Sequence, residues 1–261
     1  MTAAFDELSR LLIVTALSTA RMFACFTVLP FLGGNILPQY IRNALIFALF
    51  VTLYPLVAPL APEHLPLHRG VLLLGKEIFV GLVIGFVVSL LFWSAEMTGF
   101  LVDNQRGASM ASAMDPLYGE STSPSGVLLL QLVTVLFFST GGFLVFLSGV
   151  FESYRLWPVF EFFPRLQGSL PLFFLGKTDQ LMRTAFLLSA PFLIAIFLVD
   201  LSLGMVNRFV PQLNVFFLSM PIKSGVASFL FVLYLAVIVT YYLEGWEDME
   251  HLITAIKEWA Q

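Results

Sequence analysis

The sequence predicts an all-α integral membrane protein, with about six to eight apolar helices arranged as proline-broken helical hairpins. Three observations predict it. Hydrophobic residues make up 59% of the 261-residue chain and charged residues only 11%; a soluble domain carries about 25% charged residues. Mean hydropathy is +0.91. Apolar runs of membrane-spanning length fill most of the chain, and several prolines fall at or between their ends.

A span needs about 20 mostly apolar residues. Six runs qualify: Leu11–Leu32, Ile41–Leu60, Val71–Ala95, Val127–Phe151, Arg183–Val206 and Val215–Leu243. The segment before the first, MTAAFDELSR, is acidic. A cleaved signal peptide starts basic, so the first run reads as a retained helix. Pro30, Gly33, Gly34 and Pro38 separate the first two runs. Gly81, Gly85 and Ser89, four apart in the third run, form a stripe that lets two helix backbones approach closely. Gly141 and Gly142 in the fourth run offer the same close packing. Two short patches follow, Val159–Phe163 and Leu172–Leu175, flanked by Pro158, Pro164 and Pro171; they read as an interfacial or re-entrant connection. Pro211 and Pro221 bracket Gln212–Met220 before the last run. A proline removes a donor and clashes with the preceding turn, so helices are expected to end or kink there. PFLGGNILPQYIRNAL and PQLNVFFLSMPIKSGV share an order of residues: proline, Leu and Asn, a second proline, then Ile with a base, Arg42 or Lys223. They read as a remnant repeat or as two uses of one hairpin device.

Charges in or at the ends of the runs include Arg21, Glu77, Glu96, Asp200 and Arg208. A central charge costs about 2.5–3.5 kcal/mol on insertion scales, so each must face protein or water. Structural pairing is one reading and an ion relay the other. Lys76 and Glu77 are adjacent, which by helical geometry puts them on different faces.

The formal charge of −4 sits in the tail. Glu244, Glu247, Asp248, Glu250 and Glu258 face only Lys257 between residues 244 and 261, and the rest of the chain is balanced. Trp246, Met249, Leu252, Ile253, Ile256 and Trp259 recur at helical spacing, so 244–261 reads as an acidic amphipathic helix near the membrane surface. Its acidity favours a protein partner over anionic lipid. No basic patch exists, so nucleic acid is not a partner. Scattered Lys and Arg leave the topology open.

Between the third and fourth runs lies GASMASAMDPLYGESTSPSG, Gly107–Gly126, a long segment without periodicity of the kind that is functional or disordered. Of its 20 residues, 14 are Gly, Ala, Ser, Thr or Pro. Small side chains bury little area, so holding such a loop in place takes little free energy. Met110 and Met114 add adaptable apolar contacts. Catalytic signals are missing. Asp103, Asp115 and Glu120 have no histidine near them, the serines from Ser121 to Ser125 have no base, and the Gly141–Gly142 pair has no following Lys. Cys25 is the only cysteine and reads as a small buried hydrophobe; with His64, His68 and His251 it gives no metal-ligand spacing. The chain is read as a non-enzyme with no cofactor and no metal.

Four segments carry a family resemblance. RMFACFTVLPFLGGNILPQYIRNAL (Arg21–Leu45), DNQRGASMASAMDPLYGESTSPSG (Asp103–Gly126), SYRLWPVFEFFP (Ser153–Pro164) and PQLNVFFLSMPIKSG (Pro211–Gly225) occur in order along nearly the whole chain. Together they resemble the T subunit of the bacterial type III secretion export apparatus, homologous to flagellar FliR. The third is similar to the injectisome branch.

The resemblance implies one export-gate membrane domain over 1–261. It implies a single copy packed with several R and S subunits, and further contacts with the large export-apparatus subunit and the switch subunit. Unfolded secreted proteins would pass through the pore these subunits form in the bacterial inner membrane, with part of the chain at periplasmic level. It implies that loop 106–126 is a pore plug, with Arg106, Gly107, Met110, Met114, Asp115, Pro116, Gly119 and Pro124 as its residues. The signature and packing residues are then Arg21, Pro38, Arg42, Gly81, Gly85, Asp200, Pro211, Asn214, Pro221 and Lys223. A small-solute secondary transporter, whose pointer is a pair of broken helices, is the alternative.

Overall fold

The computed structural model describes residues 2–32, 38–62, 65–107, 123–162, 170–210, 212 and 214–260. Regular structure among them is helical: α1 (Thr2–Val28), α2 (Gln39–Val57), α3 (Leu67–Arg106), α4 (Pro124–Ser139), α5 (Gly142–Leu156), α6 (Leu170–Phe209) and α7 (Val215–Ala260), with 3-10 turns at Pro30–Leu32 and Ala58–Leu60. Five segments are long and apolar enough to cross a membrane: Arg10–Val28, Gln39–Leu60, His68–Arg106, Pro171–Phe209 and Phe217–Gly245; α4 and α5, bent by 74°, would add a sixth. At 1.5 Å per residue the 40 residues of α3 rise about 60 Å. That is twice a hydrocarbon core of about 30 Å, so α3 outruns any bilayer it crosses.

The residues gather into two compact units. One holds Met1–Leu90, Gly141–Phe174 and Asp248–Gln261, the other Leu91–Thr140 and Leu175–Glu247.

In the first unit α3 crosses α1 at backbone distance. A Cβ on Gly81 would lie 2.2 Å from the Arg21 carbonyl oxygen, and one on Gly85 would lie 2.6 Å from that of Cys25. One turn on, the Ser89 hydroxyl donates to the Val28 carbonyl at 3.1 Å. Cys25 is buried in this seam, and Phe26 meets Phe146 of α5 at 5.9 Å between ring centres.

The close crossing places Arg21 against Glu77, both fully buried. The guanidinium donates Nε to Oε2 at 2.7 Å and Nη2 to Oε1 at 2.9 Å. Nη1 donates to Ser153 Oγ at 3.0 Å, and Nη2 also reaches the Trp157 carbonyl at 2.7 Å. The cation lies 4.1 Å from the centre of the Tyr154 ring, whose hydroxyl donates to the Ser18 carbonyl. Lys76 Nζ sits 2.9 Å from Glu77 Oε1 and donates to the carbonyls of Pro158, Val159 and Glu161 at 2.7, 3.0 and 2.9 Å. One carboxylate thus holds two cations, and these cations hold the turn that leaves α5. Lying on different helix faces does not keep Lys76 and Glu77 apart. Their Cβ atoms do diverge, but the four-carbon lysine stem bends back along the helix to the carboxylate.

Some expectations are corrected. The fourth run is not one straight span. Gly141 adopts φ +80° and caps α5, a left-handed conformation that glycine reaches without steric cost. Nothing approaches a Cβ placed there, so this glycine makes a corner and no close packing. The Leu172–Leu175 patch belongs to α6 and is no separate interfacial piece. Pro171, second in that helix, loses an N–H that has no acceptor there anyway. Pro221 lies inside α7, which continues to Ala260, so the helix neither ends there nor begins after it. The tail continues α7 as helix; the side chains that define its amphipathic face lie outside the described residues, as do Gly33, Gly34, Pro164 and Pro211.

Three outcomes are expected on heating the purified protein and following loss of the folded form by size-exclusion chromatography. Gly81→Ala forces the α1–α3 backbones apart and costs about 1–3 kcal/mol. Gly75→Ala, on the same helix with nothing within 4 Å of the new methyl, gains about 0.8–1 kcal/mol of helix propensity. Glu77→Gln strips the charge from a site that still holds two buried cations and costs about 3–5 kcal/mol. Stability unchanged in Glu77→Gln contradicts the cluster as described.

Candidate functional site

The second unit contains both stems of the Gly107–Gly126 loop. Met110, Met114, Asp115, Pro116 and Gly119 lie outside the described residues. Arg106, Gly107 and Pro124 lie within them, at the last turn of α3 and the first turn of α4.

The stems meet without intervening side chains. A Cβ on Gly99 of α3 would fall 2.3 Å from the amide nitrogen of Gly126 in α4. A Cβ on Gly126 would fall 2.9 Å from the Glu96 carbonyl oxygen. Only glycine fits at these two positions.

That contact aims the start of α4 at Asp103, which is buried. Asp103 Oδ2 accepts from the Ser123 hydroxyl at 2.7 Å and from the Ser125 amide at 2.9 Å. Ser123 is the N-cap of α4, accepting from the Gly126 amide at 3.0 Å, with Pro124 following at N1. This is the usual chemistry of a helix start. A carboxylate there also meets the positive end of the helix dipole. Arg106 Nη2 lies 2.8 Å from Asp103 Oδ1, three residues along α3. Its Nε is buried and has no acceptor. Gly107, with φ +88°, then turns the chain out of α3, its amide on the Asn104 carbonyl. One buried carboxylate therefore ties the chain on both sides of the loop.

Beside these stems α6 and α7 pair through Asp200 and Lys223. A crevice of about 320 Å³ is lined by Arg106 and Gly107 from α3, Asp200 and Gly204 from α6, and Met220 and Lys223 from α7. Met220 borders Gly107, its Cε 3.6 Å from a Cβ placed there. In the same unit, Phe92 meets Phe137 edge to face with ring centres 5.3 Å apart, and Phe192 packs at a tilt on Phe231 at 4.5 Å. Tyr242 bonds Ser94 at 3.0 Å.

The structure brings Arg106, Gly107, Asp200 and Lys223 together. Arg21, Pro38, Arg42, Gly81 and Gly85 belong to the first unit. Arg42 sits in the first turn of α2, its Nε buried without a hydrogen-bond partner, and Pro38 caps that helix. Arg208 is exposed at the end of α6, and the Asn214 carbonyl accepts from Leu218 as α7 begins. Gly99, Asp103, Ser123, Ser125 and Gly126 were not singled out from sequence as a unit. The signal that could have found the helix start is Ser123-Pro124, a cap residue followed by proline, three residues before the apolar run at Val127. Nothing in the sequence marks Gly99.

Residues 12–249 match the family model for bacterial export proteins, family 1. The chain is 44% identical over 230 residues to Yop proteins translocation protein T of Yersinia pestis, covering 88% of each chain. It is 32% identical over 233 residues to surface presentation of antigens protein SpaR of Salmonella typhimurium, covering 89% of this chain and 86% of that one. It is 30% identical over 220 residues to flagellar biosynthetic protein FliR of Bacillus subtilis, covering 84% of each. An all-helical membrane protein with this family match over most of its length belongs to the bacterial export proteins, family 1, as a T subunit of the type III secretion export apparatus.

Proposed function

We propose that this chain is a structural and gating subunit of the type III secretion export gate. It helps form the inner-membrane pore through which unfolded substrate proteins pass, and the segment 106–126 is the plug of that pore. The observation that carries this reading is the Asp103 clamp. A segment that must swing aside and return needs fixed ends. Here Asp103 and the Gly99–Gly126 contact fix both ends on buried backbone. The segment between them is rich in small residues, and small side chains bury little area, so holding such a segment in place takes little free energy.

The partners proposed are several R and S subunits around one copy of this chain, with the large export-apparatus subunit and the switch subunit at its cytoplasmic side. Unpaired apolar surface supports an assembled state: Phe47 on α2, Leu144 on α5 and Phe229 and Val232 on α7 are each more than half exposed. The chain supplies scaffold and gate, and the work of transport comes from other subunits. Helices α3, α6 and α7 are longer than a bilayer is thick, which supports placing part of the chain at periplasmic level. The solute-transporter reading rests on two broken helices, and Pro221, one of its two breaks, lies within an unbroken α7.

Deleting the ten residues Met110–Gly119 is expected to leave assembly intact and to let small ions leak through the reconstituted complex. Planar-bilayer conductance equal to wild type would remove the plug role. Asp103→Ala leaves Arg106 without its anion and Ser123 and Ser125 without their acceptor, at a cost of about 3 kcal/mol. It is expected to raise the same leak without shortening the loop. A wild-type leak in Asp103→Ala, at full assembly, contradicts the clamp.

A further inference from the structure

We infer that Arg106 has two acceptors, Asp103 and Asp200, and that its exchange between them couples the α6–α7 pair to the root of the loop. This rests on the plug reading for its use, though not for its geometry. Arg106 ends α3 and faces the crevice that Asp200 and Lys223 also line. Its grip on Asp103 is partial. One terminal nitrogen lies at 2.8 Å from Oδ1, yet neither that oxygen nor the buried Nε has an aligned hydrogen bond.

When Arg106 leaves, Asp103 keeps the Ser123 hydroxyl and the Ser125 amide on Oδ2. Asp200 is open to a second cation, with its side chain 37% exposed beside a Lys223 that is 14% exposed. Gly204 lines the crevice and has nothing within 4 Å of where a Cβ would stand. Gly107, at φ +88°, is a pivot directly after the moving residue. The four groups Asp103, Arg106, Asp200 and Lys223 carry two positive and two negative charges in either arrangement. Movement of α6 against α7 changes how strongly Lys223 holds Asp200, and so which acid Arg106 prefers.

The test is hydrogen–deuterium exchange of the last-turn amides of α3, residues 104–107, in the purified export complex. Lys223→Met frees Asp200 to draw Arg106 off Asp103, and exchange in that turn is expected to rise roughly tenfold through local opening. Adding Asp200→Asn removes the second acceptor and returns exchange to the wild-type rate. In an Arg106→Gln background, Lys223→Met has no further effect. The inference is overturned by no rise in Lys223→Met, by a rise that persists with Asp200→Asn, or by the same rise in Arg106→Gln. Conductance of the Met110–Gly119 deletion is read in parallel. A silent deletion with intact exchange coupling sinks the plug and keeps the inference. A leaking deletion with no coupling does the reverse.

Discussion

The structure depends on buried carboxylates carried by one helix. α3 holds Glu77 in one unit and Asp103 in the other, and each binds chain that would otherwise have loose ends. Glu77 fixes Arg21 and Lys76, which satisfy four carbonyls in the turn after α5. Asp103 satisfies the cap and an amide at the start of α4. Charge buried in a membrane protein is costly unless every lone pair and proton is met. Glu77 is met by Arg21 and Lys76, and Asp103 by the Ser123 hydroxyl, the Ser125 amide and Arg106, so removing either acid strands at least one cation. Glycines make this geometry reachable. Gly81 and Gly85 bring α1 onto α3, and Gly99 with Gly126 brings α4 onto α3, at distances that no other residue allows.

Composition and run length were enough for the fold class. An all-α membrane protein follows from 59% hydrophobic residues and spans of membrane length. Proline was the weaker guide. Pro30 and Pro38 do end and begin helices, but Pro171 lies at a helix start and Pro191 and Pro221 lie inside helices. A proline deletes one bond, and a helix of 40 residues or more can lose one and continue. The break that bends a span by 74° is at Gly141, where the sequence shows only a glycine pair.

The candidate site was half legible. The loop stood out by its length and its small residues. What joins its two flanks could not be read. Asp103 and Ser123 are 20 residues apart, and no local period connects them. The same holds for Arg21 and Ser153, 132 apart. Lys76 and Glu77 show the opposite failure: a local rule about helix faces was applied to a side chain long enough to escape it. Sequence carries the elements and the unusual segments. Long-range polar closure belongs to the fold.

The account makes this chain a wall of a conduit with a tethered, easily displaced stopper. An electron cryomicroscopy map of the complete, substrate-free export complex tests that most directly, by locating residues 108–122 relative to the lumen. The account predicts density for them across the lumen, leaving no open path. Residues 108–122 on the outer face of the assembly, with the lumen sealed by other chains, would contradict it.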